Sequence, residues 1–212
     1  MRTEKSKKKT KQAIVEAALL LFQTKGYDGT SIRDIAQKAD INSANIAYYF
    51  KNKNGLLEHC FVDYFERYTA VIENEVRSMD SSRADRCLMA IISNVVQFQG
   101  DNFLATRFVT REMSRDTLLN REVLSTYMAK ERYYLQYVIE QGIKADVFRD
   151  VSIPPFILAL KGLLTAPFTH AGYSKQLLHI LPREQYYIEQ YKAQCIDFLQ
   201  YSLFSRKIEV TS

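Results

Sequence analysis

Three runs of apolar residues at helical spacing lie within the first fifty positions, each opened or closed by a residue suited to that task, and they constrain the chain more than any other feature. Ile14, Ala17, Ala18, Leu21 and Phe22 follow the i, i+3, i+4, i+7, i+8 pattern of a helix with one buried face. Gly26 stands where such a helix would be capped. After the linker Tyr27-Asp28-Gly29, Ser31 and Asp34 have capping-box spacing, and Ile32, Ile35, Ala36 and Ala39 carry a short second helix. Asp40 interrupts it. Asn42 is suited to cap a third helix, predicted from about Ser43 to Tyr49, with Ile41 and Ile46 forming a hydrophobic staple across the cap. Two short helices joined by a tight turn make a helix-turn-helix.

The rest of the chain also reads as helix. Only 7 Gly and 4 Pro occur in 212 residues, too few turn-formers for a many-stranded sheet. A fourth helix is predicted from Lys53 to about Ser78, with apolar positions at Leu56, Leu57, Cys60, Phe61, Tyr64 and Tyr68. Further helices are predicted at 83–98, 102–115, 118–144, 155–172 and 183–205, while the polar residues 1–11 are expected to fray at their start. The expectation is an all-α protein: a three-helix head over residues 1–53 and a helical-bundle body over 54–212.

Charge separates these regions. Residues 1–53 carry eleven Lys and Arg against five Asp and Glu; residues 54–212 carry eighteen against nineteen. Positive charge concentrated at one end suits a polyanion, because neutralised phosphates release condensed counterions. A solvated basic tail would have the same composition.

Other classes find little support. No apolar run approaches the roughly 18 residues that span a membrane, and no secretory leader is expected. Cys60, Cys87 and Cys195 are odd in number and widely spaced, which fits reduced thiols in a cytoplasmic protein better than a disulfide framework or a zinc site. His59, His170 and His179 form no metal-ligand motif. There is no phosphate-cradling glycine loop, His-Glu-x-x-His pair or nucleophile elbow, so neither an enzyme nor a cofactor is expected.

With Ile46 and Phe50 turned inward, Ser43, Ala44, Asn45 and Tyr48 would face outward near the start of the third helix, where a recognition helix contacts base edges. Asn45 offers the donor and acceptor that pair with adenine, and Ala44 could touch a thymine methyl. Asn42 lies at the same end. Tyr48, Tyr49 and Lys53 suit phosphate oxygens, and Thr30, Ser31 and Arg33 could clamp the DNA backbone.

The run TSIRDIAQKADINSANIAYYFKNKNGLL (30–57), preceded by AIVEAALLLFQTKGYDGTS, resembles the signature of the TetR family of bacterial regulators. The match covers residues 12–57. Asp40 departs from it, standing where glycine is usual, and Ala47 replaces a common tyrosine. The resemblance implies a homodimer that binds palindromic double-stranded operators. It also implies a dimer interface from the last two long helices, here 155–172 and 183–205, with Ile188, Tyr191, Cys195, Phe198 and Leu199 along one side.

The segments NIAYYFKNKNGLLEH, RFVTRE, REVLSTYMAKERYYLQYVIEQG and PPFILALKGLLTAPF are similar to the RefZ-like members of that family in endospore-forming bacteria. This similarity implies a role in cell division and sporulation: positioning the division ring from chromosomal sites through the division protein FtsZ. The alternative is a transcriptional repressor that responds to a small molecule. Arg107, Arg111 and Arg115, with Glu112, Arg121 and Glu122, form a densely charged stretch. It is either a solvated face with local ion pairs or a surface for a protein partner such as FtsZ.

Overall fold

The computed structural model describes residues 4–80, 83–113 and 117–205. Eleven helices are assigned there: α1 (Glu4–Lys25), α2 (Ile32–Lys38), α3 (Ser43–Phe50), α4 (Lys53–Arg77), α5 (Ala84–Asp101), α6 (Phe103–Glu112), α7 (Leu118–Val123), α8 (Ala129–Lys144), α9 (Ile153–Thr169), α10 (Ala171–Gln176) and α11 (Gln185–Ser202). A π-helical turn, Leu124–Met128, separates α7 from α8. The extended structure among the described residues is an isolated antiparallel bridge between Phe148 and Phe204. The all-α expectation therefore holds.

Helix α1 runs from Glu4 through the polar stretch, because Lys, Gln and Glu without a breaker extend an existing helix at little cost, and the start expected to fray lies outside the described residues. Two details differ from the sequence reading. The single helix expected over 118–144 has the π-helical turn within it. The short α10 was not foreseen.

By contact the chain forms two compact units. The first comprises Met1–Phe65 and Leu104–Val123. Its core is Ile14, Ala18, Phe22, Ile35, Ile46, Leu56, Phe61 and Phe108, all at most 1% exposed. Phe108 stacks on Phe22 with centroids 5.4 Å apart and meets Phe61 edge-on at 5.8 Å. The Tyr64 hydroxyl donates to Thr106 Oγ1 at 3.1 Å.

The second unit comprises Glu66–Phe103 and Leu124–Ser212. Leu88, Ile91, Ile92 and Val95 of α5 are buried there, as are Val138 and Ile139 of α8 and Ile188, Cys195 and Leu199 of α11. Gly100 lets α11 approach α5, since a Cβ at that position would collide with the Ile188 side chain. Gly142 makes the same allowance for the Phe148 ring. Among the described residues of this unit one charged group is buried. Glu131, 4% exposed, accepts from the Tyr68 hydroxyl at 2.6 Å and from Lys161 Nζ at 2.5 Å. No helix among the described residues is long and apolar enough to cross a membrane.

Candidate nucleic-acid interface

The approach to the interface begins at the end of α1. Gly26 takes φ +79°, and its carbonyl accepts a 2.7 Å hydrogen bond from the Thr30 hydroxyl. Ser31 then caps α2. Its Oγ accepts from Asp34 N–H at 3.1 Å, while its own N–H donates to Asp34 Oδ2 at 2.9 Å. These bonds from Ser31, with a further contact from Lys25, hold the Asp34 carboxyl down at about 2.

The turn between α2 and α3 closes as a Schellman motif. Ile41 N–H reaches Ala36 O at 3.0 Å and Asp40 N–H reaches Gln37 O at 3.2 Å. The motif needs a left-handed residue, and Asp40 supplies it at φ 53°. A short polar side chain tolerates that region better than most. Asn42 Oδ1 then accepts from Ala44 N–H at 2.8 Å and starts α3.

Two contacts anchor α3: Ile46 is fully buried and Phe50 is 5% exposed. The opposite face, Ser43, Ala44, Ala47 and Tyr48, is open, and Tyr48 is 70% exposed. Asn45 and Tyr49 are half-buried. The Tyr49 ring holds Tyr48 edge-on at 5.0 Å. Beyond α3, Lys51 takes φ 65°, and Lys53 turns back toward the head. Its ammonium donates to the carbonyls of Tyr27 and Thr30, both at 3.0 Å, and lies 4.2 Å from the Tyr27 ring centre. The Tyr27 hydroxyl bonds Asn54 Oδ1.

These positions correct part of the sequence reading. Thr30 is 2% exposed and closes the end of α1, so it is not a surface clamp. The Ser31 hydroxyl is engaged by the cap. Two of the three N–H bonds of Lys53 go to backbone carbonyls, a structural role that the sequence did not reveal. Arg33, Asn42, Ser43, Ala44 and Tyr48 lie exposed, and exposed Lys7, Lys8, Lys9, Lys38 and Lys51 add positive charge to this unit.

The charged stretch on α6 also has a different role. The Arg111 guanidinium donates to Phe22 O at 2.7 Å and Gln23 O at 3.4 Å, satisfying carbonyls at the end of α1. Glu112 is 9% exposed, 3.3 Å from Arg111 Nε, and is not a surface group. Arg107 is half-buried, and Arg121 and Glu122 are exposed. Arg115 lies outside the described residues. The three thiols are buried, and burial pushes Cys60 and Cys195 up to about 12 and Cys87 up to about 11.

Residues 14–60 match the model of the bacterial regulatory proteins of the tetR family. Over 182 residues the chain is 38% identical to "Probable HTH-type transcriptional regulator YttP" of Bacillus subtilis (strain 168), covering 86% of this chain and 88% of that one. The chain belongs to the TetR family. Among solved TetR-like structures it resembles the ketosteroid transcriptional regulator KstR2 of Mycobacterium tuberculosis (TM-score 0.77, 16% identity, 92% of this chain and 95% of that chain covered). It also resembles AibR, whose structure is a complex with isovaleryl coenzyme A and operator DNA (TM-score 0.70, 16% identity, 89% and 97% covered). The identities to the two solved structures support the shared fold alone. As a TetR regulator, the chain is a DNA-binding transcriptional regulator rather than an enzyme.

The body of this TetR protein revises the expected interface. Ile188, Cys195 and Leu199 are 2%, 0% and 0% exposed within their own unit, so their stripe on α11 is core. Tyr191 is half-buried, and its hydroxyl donates to Leu163 O at 2.6 Å. The outward face of α11 carries Tyr186, Phe198 and Tyr201, and that of α9 carries Leu158. A groove of about 660 Å³ runs between α9, α10 and α11, bordered by Pro167, Tyr173, Leu178, Tyr187 and Tyr191. The last two rings stack at 5.6 Å.

Proposed function

We propose that the chain is a homodimeric repressor that binds palindromic operators through the open face of α3 and is regulated by a small molecule held in its body. The functional division falls at 53/54: DNA contact before it, dimerisation and regulation after it. The observation that carries the reading is the presentation of α3. Its buried face is fixed by Ile46 and Phe50 and its start by Asn42, which leaves Ser43, Ala44 and Tyr48 outward where a recognition helix meets base edges. Asn45 and Tyr49 at the edges of that face, with Arg33 and the free proton of Lys53, suit further base and phosphate contacts. A two-fold dimer would set two copies of α3 about 34 Å apart, or a multiple of that spacing.

The dimer is assigned to α9 and α11, whose outward apolar residues are Leu158, Tyr186, Phe198 and Tyr201. Aromatic residues are favoured in the core of such interfaces. Regulation by a small molecule is supported by the aromatic groove in the body and by AibR, which was captured with both a coenzyme A thioester and its operator.

The test is to crosslink the protein to DNA in its native cells and sequence the bound fragments, beside a Tyr49→Ala, Lys53→Ala variant. Palindromic sites at one or a few promoters, weakened together in the variant, are expected. Sites clustered around the replication origin and away from promoters would instead support the RefZ-like role, with FtsZ as partner. YttP and KstR2 are named as transcriptional regulators, which favours the promoter outcome.

A further inference from the structure

Helix α3 contains no charged side chain. Its eight residues are Ser43, Ala44, Asn45, Ile46, Ala47, Tyr48, Tyr49 and Phe50. With Ile46 and Phe50 buried, the outward face consists of Ser43, Ala44, Ala47 and Tyr48, four positions that follow one another at helical spacing. We propose that this face reads thymine methyl groups, so that the operator bases opposite α3 are A·T pairs and no guanine is required there. The inference rests on the operator-binding reading above and names the bases that it recognises.

Each base pair displays its own set of groups in the major groove. The commonest specific contact is Arg or Lys bonded to guanine O6 and N7. No residue of α3 can make it. Thymine instead presents a C5-methyl, the apolar group on the groove floor that suits Ala44, Ala47 and the Tyr48 ring. The edges of guanine and cytosine set against two alanine methyls would lose water without gaining a partner, an uncompensated desolvation. Small side chains also let the helix backbone come close enough for methyl contact.

The polar groups fit the same preference. The Asn42 oxygen accepts from Ala44 N–H at 2.8 Å, which holds that carboxamide at the cap of α3. Asn45, half-buried at the edge of the face, carries the donor and acceptor pair that matches adenine. Lys51 and Lys53 follow the C-terminal end of α3, away from the N-terminal turn that touches bases, and suit phosphates. Arg33, exposed on α2, is a cation that could contribute a guanine contact from outside α3, and the test separates that case.

The full-length protein is used to select duplexes from a random pool, and each thymine of the selected operator is then replaced singly by deoxyuridine, which removes only the methyl. The expected result is a half-site whose central pairs are A·T. Deoxyuridine should weaken binding about fourfold at two or more positions, the factor that burying one methyl group is worth. In Ala47→Ser, which keeps the helix, one of those penalties should disappear. The inference is overturned by an invariant guanine among those central pairs whose requirement persists in Arg33→Ala; a guanine whose requirement is lost there is read from α2 and leaves the assignment of α3 standing. It is equally overturned if deoxyuridine is tolerated at every position. A pool in which no sequence is enriched overturns the operator reading itself, and this inference with it.

Discussion

Helices α3 and α11 carry apolar stripes that look alike in sequence, and the structure uses both stripes for packing. What separates the helices is the other face. On α3 the outward residues are small, with Tyr48 as the one large ring; on α11 they include Tyr186, Phe198 and Tyr201, all large and aromatic. An apolar stripe at helical spacing therefore marks the core in both. The working surface is read from the residues left over, and a surface of small uncharged groups suits a nucleic-acid groove whereas exposed rings suit a protein face.

Substitutions on the two faces of α11 test this contrast most strongly. Leu199→Ala should lower unfolding stability by about 2–5 kcal/mol, the cost of emptying a filled core site. Its direct effect is on the monomer. Tyr201→Ala, at a 78% exposed position, should leave the melting of the monomer nearly unchanged and weaken self-association in sedimentation equilibrium. If the two variants exchange these effects, the assignment of the faces is wrong.

Each unit buries a carboxylate among its described residues, and Glu131 of the second, 4% exposed, lies deeper than Glu112 of the first, 9% exposed. Removing it in Glu131→Ala takes one acceptor from the Tyr68 hydroxyl and the carboxylate from Lys161, and a loss of about 1–3 kcal/mol is expected in denaturant titrations. A neutral outcome would show that water replaces the carboxylate.

Smaller effects are expected at the turns of the head. Asn42→Ala should cost about 1 kcal/mol by removing the cap of α3, with DNA affinity falling as the helix frays. Asp40→Gly should raise stability by about 0.5–1 kcal/mol, because glycine enters the left-handed region without a Cβ penalty. A lower melting temperature would mean that the Asp40 side chain contributes more than its backbone costs.

The smallest effect concerns pH. Asp34 is held at about 2 in the folded chain, below its ordinary value of 3.8. Its contribution is therefore present above about pH 4 and is lost as pH falls toward 2. The melting temperatures of the parent and Asp34→Asn should converge over that window, and curves that stay parallel down to pH 2 would contradict the cap geometry.

The parts of the head that rest on neighbours in sequence were legible. Gly26, the Ser31–Asp34 box, Asp40 and Asn42 each act within five residues, and the rules for caps and turns apply to them directly. The contacts that join distant residues were not. Nothing local announces that Phe108 packs between Phe22 and Phe61, that Arg111 serves the carbonyl end of α1, or that Lys53 reaches back to Tyr27. In a charged stretch such as 107–122, spacing alone does not distinguish a solvated arginine from one that caps a helix elsewhere. For the same reason Thr30 read as a clamp and Ile188 as an interface residue: burial depends on which helix packs opposite.

The central claim is that the open face of α3 holds the operator. It is tested most directly by measuring the equilibrium affinity of Ala47→Glu for a selected operator duplex, with its thermal melt as control. Residue 47 is exposed, and glutamate is well tolerated in a helix, so the fold should be unaffected. The account predicts an unchanged melt and a loss of binding of about 100-fold or more, as a carboxylate is forced against the DNA. Parental affinity at an unchanged melt would contradict it and would place the DNA-binding surface elsewhere on the chain.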